Sequence, residues 1–326
     1  MIKANLRKLV AWQIARLLSF ESWKRGLWTC IRLVLIAGLS FVIIYPILQK
    51  IATAIKDKTD LYSPIVIWIP EHFTSDNFKQ AIKIMDYWTT LGNTFTLSAM
   101  VTVLTAMSCA FAGYGFARLK FKGSNLLFGG VILTILVPPT TILIPMYLNL
   151  KDFSLMGLIP LFTGKSVNLL DTQWPFILTS LTANSMKAGL YIFIFRQFFR
   201  GIPKEVEEAA YIDGASVSKT FTKIMLPNAT PSIITVLLFS FVWQWNDSFF
   251  TTTYLTTSKV MSIMLSSLPY NLRIMLNDGV SSGADPFYQS MVLDTGMLLA
   301  IAPLVLIYIF VQRYFVESVE RTGIVG

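Results

Sequence analysis

Apolar residues gather into six runs of about 20 residues or more, near positions 27–47, 91–116, 126–150, 176–199, 233–251 and 290–315. A helix of about that length crosses the ~30 Å hydrocarbon layer of a membrane. The pattern therefore predicts an all-α integral membrane protein with six transmembrane helices. The polar stretches between the runs become loops.

Composition agrees: 54% of the 326 residues are hydrophobic and 14% are charged, against about 25% charged in an ordinary soluble domain. The basic residues then orient the bundle, because Lys and Arg near helix ends stay on the cytoplasmic side. Lys3, Arg7, Lys8, Arg16, Lys24, Arg25 and Arg32 surround the start of the first run; Arg118, Lys120 and Lys122 follow the second; Arg196, Arg200, Lys204, Lys219 and Lys223 follow the fourth. In the loop before the second run, Lys50, Lys56, Lys58, Lys79 and Lys83 are balanced by Asp57, Asp60, Glu71, Asp76 and Asp86. Both termini are expected in the cytoplasm, in a multi-pass protein of the bacterial cell membrane. The net charge of +9 is then a basic strip beside anionic lipid rather than a nucleic-acid surface. Three regions follow: a basic, surface-lying segment 1–26, a first span with its outside loop 27–84, and a core 85–326 with five spans and a short tail.

Catalytic chemistry is not in evidence. Cys30 and Cys109 sit within apolar runs without CxxC spacing and read as buried, inert thiols, and the single His72 stands too isolated for a metal site. Gly164-Lys165-Ser166 resembles the end of a phosphate-binding loop, but the position that should hold its first glycine is Ile159. The expectation is no cofactor, no metal and no ATP hydrolysis by this chain.

Between the fourth and fifth runs lies EEAAYIDGASVSKTFTKIMLP, residues 207–227. Pro203 suits the first turn of a helix, Glu205, Glu207 and Glu208 suit its positive end, and Gly214 suits its C-terminal stop. Ser216 can cap a second short helix that Pro227 ends. The pattern predicts a cytoplasmic helix-turn-helix elbow. Val206, Ala209, Ala210 and Asp213, spaced i, i+3, i+4 and i+7, form a face of mostly small residues that another surface can approach. That face packs either on the bundle or on a cytoplasmic partner.

These residues resemble the EAA loop of ABC importer permeases. Glu208-Ala209-Ala210, Gly214 and Ile224-x-Leu226-Pro227 fit its pattern, and EAAYIDGA with Phe221 is similar to the carbohydrate, maltose-type branch. GYGFARLKFKG (113–123), VPPTTILIPMY (137–147) and FVWQWND (241–247) resemble the core helices of that branch in the expected order. The resemblance implies a type I importer permease fold with cytoplasmic EAA coupling helices. Its partners would be a second homologous permease, two ATPase subunits and an extracytoplasmic sugar-binding protein. It assigns ATPase coupling to Glu207, Glu208, Ala209, Ala210, Asp213, Gly214 and Ala215, and sugar transport, of an oligosaccharide, to the assembly. The rival reading is an ion-coupled secondary transporter, which would carry an internal repeat and a midplane carboxylate.

Trp243, Trp245, Asn246 and Asp247 lie deep in the fifth run, where polar groups face protein or water. They are pathway candidates, or else packing and interface residues. Pro138, Pro139 and Pro145 are expected to kink the third helix, and Gly113 with Ala117 to permit close helix contact. Lys187 and Asn184 lie within the fourth run. Lys187 marks a late helix start, pairs with an acid of the partner permease, or lines the pathway for an anionic sugar.

Overall fold

The computed structural model describes residues 20–63, 68–276 and 285–323, with side chains for all of these except 20–22, 25, 163 and 314–323. Most of the basic N-terminal segment and the end of the C-terminal tail lie outside the described residues. The chain divides between Asn77 and Phe78 into two compact units.

In the first unit, α1 (Phe20–Ala54) is a 35-residue helix whose most apolar stretch has no buried residue among those described. Leu35, Val42 and Ile43 are all more than half exposed, as befits a surface made for lipid or another subunit. Cys30 is exposed there, contrary to the expectation of burial, because α1 offers no covered face at that position. The chain then turns through a 3-10 segment (Lys58–Tyr62). Asn77 is buried and ties this turn down by donating through Nδ2 to the carbonyls of Ala54 (2.9 Å) and Lys56 (2.8 Å). His72 is not isolated: its Nδ1 lies 2.8 Å from Oδ1 of buried Asp60.

The named elements of the second unit, among the described residues, are all helices. The elements after α2 (Asp76–Ile84) are α3 (Tyr87–Arg118), α4 (Ser124–Leu136), α5 (Pro139–Lys151), α6 (Leu158–Thr163), α7 (Trp174–Leu181) and α8 (Ala188–Gly201). The elbow follows with α9 (Lys204–Ile212), α10 (Val217–Thr220), a π-helical turn (Phe221–Met225) and α11 (Leu226–Asn228). The chain closes with α12 (Thr230–Asn246), α13 (Phe249–Tyr254), α14 (Met261–Met275) and α15 (Pro286–Gly323).

Among the described residues, α1, α3 and α15 are long and apolar enough to cross a membrane. Counting each sharply bent helix pair as one span raises the number to five. The six continuous spans of the sequence reading are therefore not all present as single helices. In the third run the chain turns by 102° between α4 and α5. Pro138 sits in extended backbone there and Pro139 starts the new helix, whereas Pro145 is absorbed inside α5. The fourth run is broken between α7 and α8, where Ala183 and Lys187 take positive φ of 53° and 64°. The fifth run stops at Asn246 and restarts as α13. Helix α14 falls between the fifth and sixth apolar runs, its own apolar stretch being too short to form a run.

α3 is the central post and packs on α7, α8 and α12. Its small residues make this possible: a Cβ on Gly113 would fall 2.5 Å from the Cβ of Phe195 on α8. Ala106, Cys109 and Ala110 of α3 meet Tyr191, Phe195 and Phe199 of α8 in a buried core that also takes Phe221, Met225 and Val236.

Candidate functional site

The elbow is built from local signals. Pro203 precedes α9, Glu205 and Glu207 lie in its first turn, and Asp213 closes it. Gly214 has φ of +75°, and the amide of Ala215 returns to the carbonyl of Ala210 at 2.9 Å, the six-to-one bond of a glycine-terminated helix. Ser216 Oγ then accepts the amide of Lys219 at 3.3 Å and caps α10. The second limb does not end at Pro227. It passes through the π-helical turn and α11, and the sharp bend of 77° comes at Ala229.

One acid of the elbow points inward. Glu207 Oε1 accepts the Tyr114 hydroxyl at 2.9 Å, and Oε2 lies 3.1 Å from Arg118 Nε, all three side chains being buried. Nη2 of Arg118 also donates to the carbonyls of Phe199 (2.6 Å) and Ile202. One guanidinium thus joins the end of α3, the end of α8 and the start of α9. Aromatic rings wall this site: Tyr114 lies 4.9 Å from Phe221 and 5.6 Å from Phe199, centroid to centroid.

The predicted coupling residues separate accordingly. Glu207 and Ala210 face the bundle, Glu208, Ala209, Asp213 and Gly214 are exposed, and Ala215 is half-buried. The stripe of Val206, Ala209, Ala210 and Asp213 therefore does not act as a single face. Tyr211, Ile212 and Val217, which the sequence reading passed over, project from the elbow, with Ile212 86% exposed. Tyr114 was also passed over, and Arg118 was read only as a cation that orients the bundle, although both lie in the quoted stretch 113–123. A basic residue at a helix end, one turn from a tyrosine, was the available signal.

A second feature is a cavity of about 620 Å³ between α3, α4, α5, the α7–α8 break, α12 and α13. Lys187, Asn184 and Asp247 line it; Trp245 and Asn246 do not. Trp243 meets it through Lys187, whose Nζ lies 4.9 Å from the indole centroid. Trp245 is buried and donates Nε1–H to the Ala300 carbonyl at 3.1 Å. Asn246 Nδ2 turns back to the Val242 carbonyl at 2.8 Å. Asp247 caps α13: Oδ1 accepts the amides of Phe249 and Phe250, and Oδ2 the amide and hydroxyl of Thr251, at 2.7–3.1 Å.

The break beside the cavity is held by α3. Thr105 Oγ1 donates to Ser185 Oγ at 2.9 Å, Ser108 Oγ to the Ser180 carbonyl at 2.5 Å, and Cys109 Sγ lies 3.7 Å from the Ala188 carbonyl. Side chains of a neighbouring helix thus satisfy backbone that an interrupted helix leaves free.

Comparison with known proteins gives a consistent picture. The model of a family described as "Binding-protein-dependent transport system inner membrane component" matches residues 102–321. The chain is 28% identical over 294 residues to the arabinooligosaccharides transport system permease protein AraQ of Halalkalibacterium halodurans, covering 89% of this chain and 94% of that one. It is 26% identical over 206 residues to the diacetylchitobiose uptake system permease protein DasC of Streptomyces coelicolor, covering 63% and 68%. Among solved structures, a chain of a bacterial ABC transporter involved in the import of the acidic polysaccharide alginate has the same fold. Its TM-score is 0.69 at 20% identity, with 90% of this chain and 98% of that one covered.

Proposed function

The chain belongs to the family of binding-protein-dependent transport system inner membrane components, and from that membership we propose that it is the permease subunit of an ATP-driven sugar importer. It is a transport subunit rather than an enzyme, ATP hydrolysis being the work of a separate subunit. Relatives named for arabinooligosaccharide and diacetylchitobiose uptake support an oligosaccharide as cargo.

In this reading the chain spans the membrane six times with both termini in the cytoplasm, and the α4–α5 and α7–α8 pairs each serve as one bent span. It pairs with a second permease, two ATPase subunits and an external sugar-binding protein. The exposed apolar side of α1 is available to lipid and to the partner permease. The observation that carries the reading is the elbow. Its root is anchored in the bundle by Glu207, while Glu208, Ile212 and Asp213 stand free on its outer side. That combination suits a lever: closure of an ATPase against the outer side is transmitted through a buried ion pair to α3 and α8.

Reconstitution of the full assembly tests this. Sugar uptake should require ATP and the binding protein, and a cysteine replacing Glu208 should cross-link to the ATPase. Uptake driven by a proton or sodium gradient without ATP would replace this reading with an ion-coupled transporter.

A further inference from the structure

Lys187 occupies a costly position. It precedes α8 (Ala188–Gly201) and lies nine residues, a helical rise of ~13 Å, before Arg196, the first of the basic residues assigned to the cytoplasmic end of the fourth run, so on the proposed topology its ammonium falls within the bilayer thickness. An ammonium at such depth is tolerated only where it meets water, protein polar groups or an opposite charge. Its backbone is in the left-handed region at φ of 64°, a conformation a residue with a Cβ seldom adopts.

The usual compensation is missing. No carboxylate among the described residues forms an ion pair with Lys187, and the oxygens of the acid that shares its cavity, Asp247, are turned to the amides and hydroxyl of α13 rather than to the ammonium. What Lys187 does touch is the ring of Trp243, a contact that steers the ammonium without neutralising it. The cavity around it falls within the ~300–1,000 Å³ range of small-molecule sites. Asn184, Thr179 and Gln244 line the same cavity and suit sugar hydroxyls, as does Ser180, whose buried hydroxyl has no hydrogen-bond partner among the described residues. Hydroxyl groups alone would need none of the charge that Lys187 brings.

We propose that this cavity passes acidic sugars, with Lys187 receiving the carboxylate or sulfate group while the neighbouring polar side chains take the hydroxyls. The inference rests on the importer reading and adds a substrate class to it. Trp243, which lies outside the cavity lining, then has a defined part, since its ring steers the Lys187 ammonium that faces the cavity.

The test uses the assembled importer in proteoliposomes, supplied with a mixture of uronic-acid trisaccharides and, separately, with the same trisaccharides reduced at their carboxylates. The wild type is expected to favour the acidic set. Lys187→Met should lower the ratio of acidic to reduced-sugar uptake by about tenfold or more, and Lys187→Arg should hold it near the wild-type value. No preference in the wild type, or equal loss of both sugars in Lys187→Met with the complex assembled, would overturn the proposal and make Lys187 a partner of the second permease. Either result leaves ATP-dependent uptake of other sugars intact as the sign that the importer reading stands. Absence of any ATP-dependent uptake would overturn both.

Discussion

Nε of Arg118 lies 3.1 Å from Oε2 of Glu207, and neither side chain is more than a tenth exposed. The pair binds the end of the central helix to the root of the elbow. Removing one member of a buried pair strands the other, which costs ~3–5 kcal/mol, whereas a neutral residue that keeps the hydrogen bonds costs less. Glu207→Ala is therefore expected to lower the melting temperature of the detergent-purified complex and to reduce sugar-stimulated ATP hydrolysis. Glu207→Gln, which can still accept from Tyr114, should lie between it and the wild type. A Glu207→Ala complex as stable and as well coupled as the wild type would remove the pair from the mechanism.

Gly214 offers a cleaner separation of coupling from folding. Open space surrounds the position a Cβ would take, so a side chain there meets no clash, but φ of +75° remains unfavourable for it by ~1 kcal/mol or more. Gly214→Val should insert normally yet couple poorly, because the turn relaxes and re-aims the limb that begins at Val217. Gly214→Asn should retain more coupling, since Asn tolerates the left-handed region. Wild-type stimulation of the ATPase in the valine variant would sink the idea.

The sequence showed some of this and concealed the rest for definable reasons. α1, α3 and α15 were legible because each is one uninterrupted apolar run. The prolines of the third run announced its kink, though not its size, whereas the fourth run looks continuous by hydropathy, which carries no direction: the positive φ at Ala183 and Lys187 redirects the chain without marking the pattern. In the elbow, Glu207 and Glu208 are adjacent and chemically alike. Which one turns inward is decided by Tyr114 and Arg118 on a distant helix, a contact that no local pattern announces.

Asp171, in the loop before α7, supplies a pH-dependent contact. Its carboxylate accepts the hydroxyl of Thr256 (2.7 Å) and the amides of Thr256 (2.5 Å) and Thr257 (3.1 Å). The Thr256 hydroxyl first, and then the two amides, hold its pKa below the ordinary 3.8. Because the folded value is depressed, the contact is at full strength above the unfolded pKa and is lost as pH falls through the folded one. Amide exchange at Thr256 and Thr257, corrected for intrinsic rates, should be flat from neutral pH to about pH 5 and accelerate below about pH 4. Asp171→Asn should show fast exchange throughout; protection in that variant equal to the wild type would dismiss the carboxylate.

Topology is directly testable. A reporter fused after Gly326 should behave as cytoplasmic, and one inserted near Thr163, at the end of α6, as external. The reverse pattern would invert the bundle and put the elbow on the wrong side to meet an ATPase.

The two thiols differ in a way that decides how such experiments can be labelled. Cys109 is fully buried against α8, whereas Cys30 is exposed on α1. A maleimide probe added to the folded chain in detergent, without the partner subunits, should therefore find Cys30 and spare Cys109, and Cys30→Ser yields a background silent to that chemistry without disturbing the core. Paired probes placed on the elbow tip at Ile212 and on α15 could then serve as a molecular ruler, reporting the stroke of the elbow during each ATP cycle.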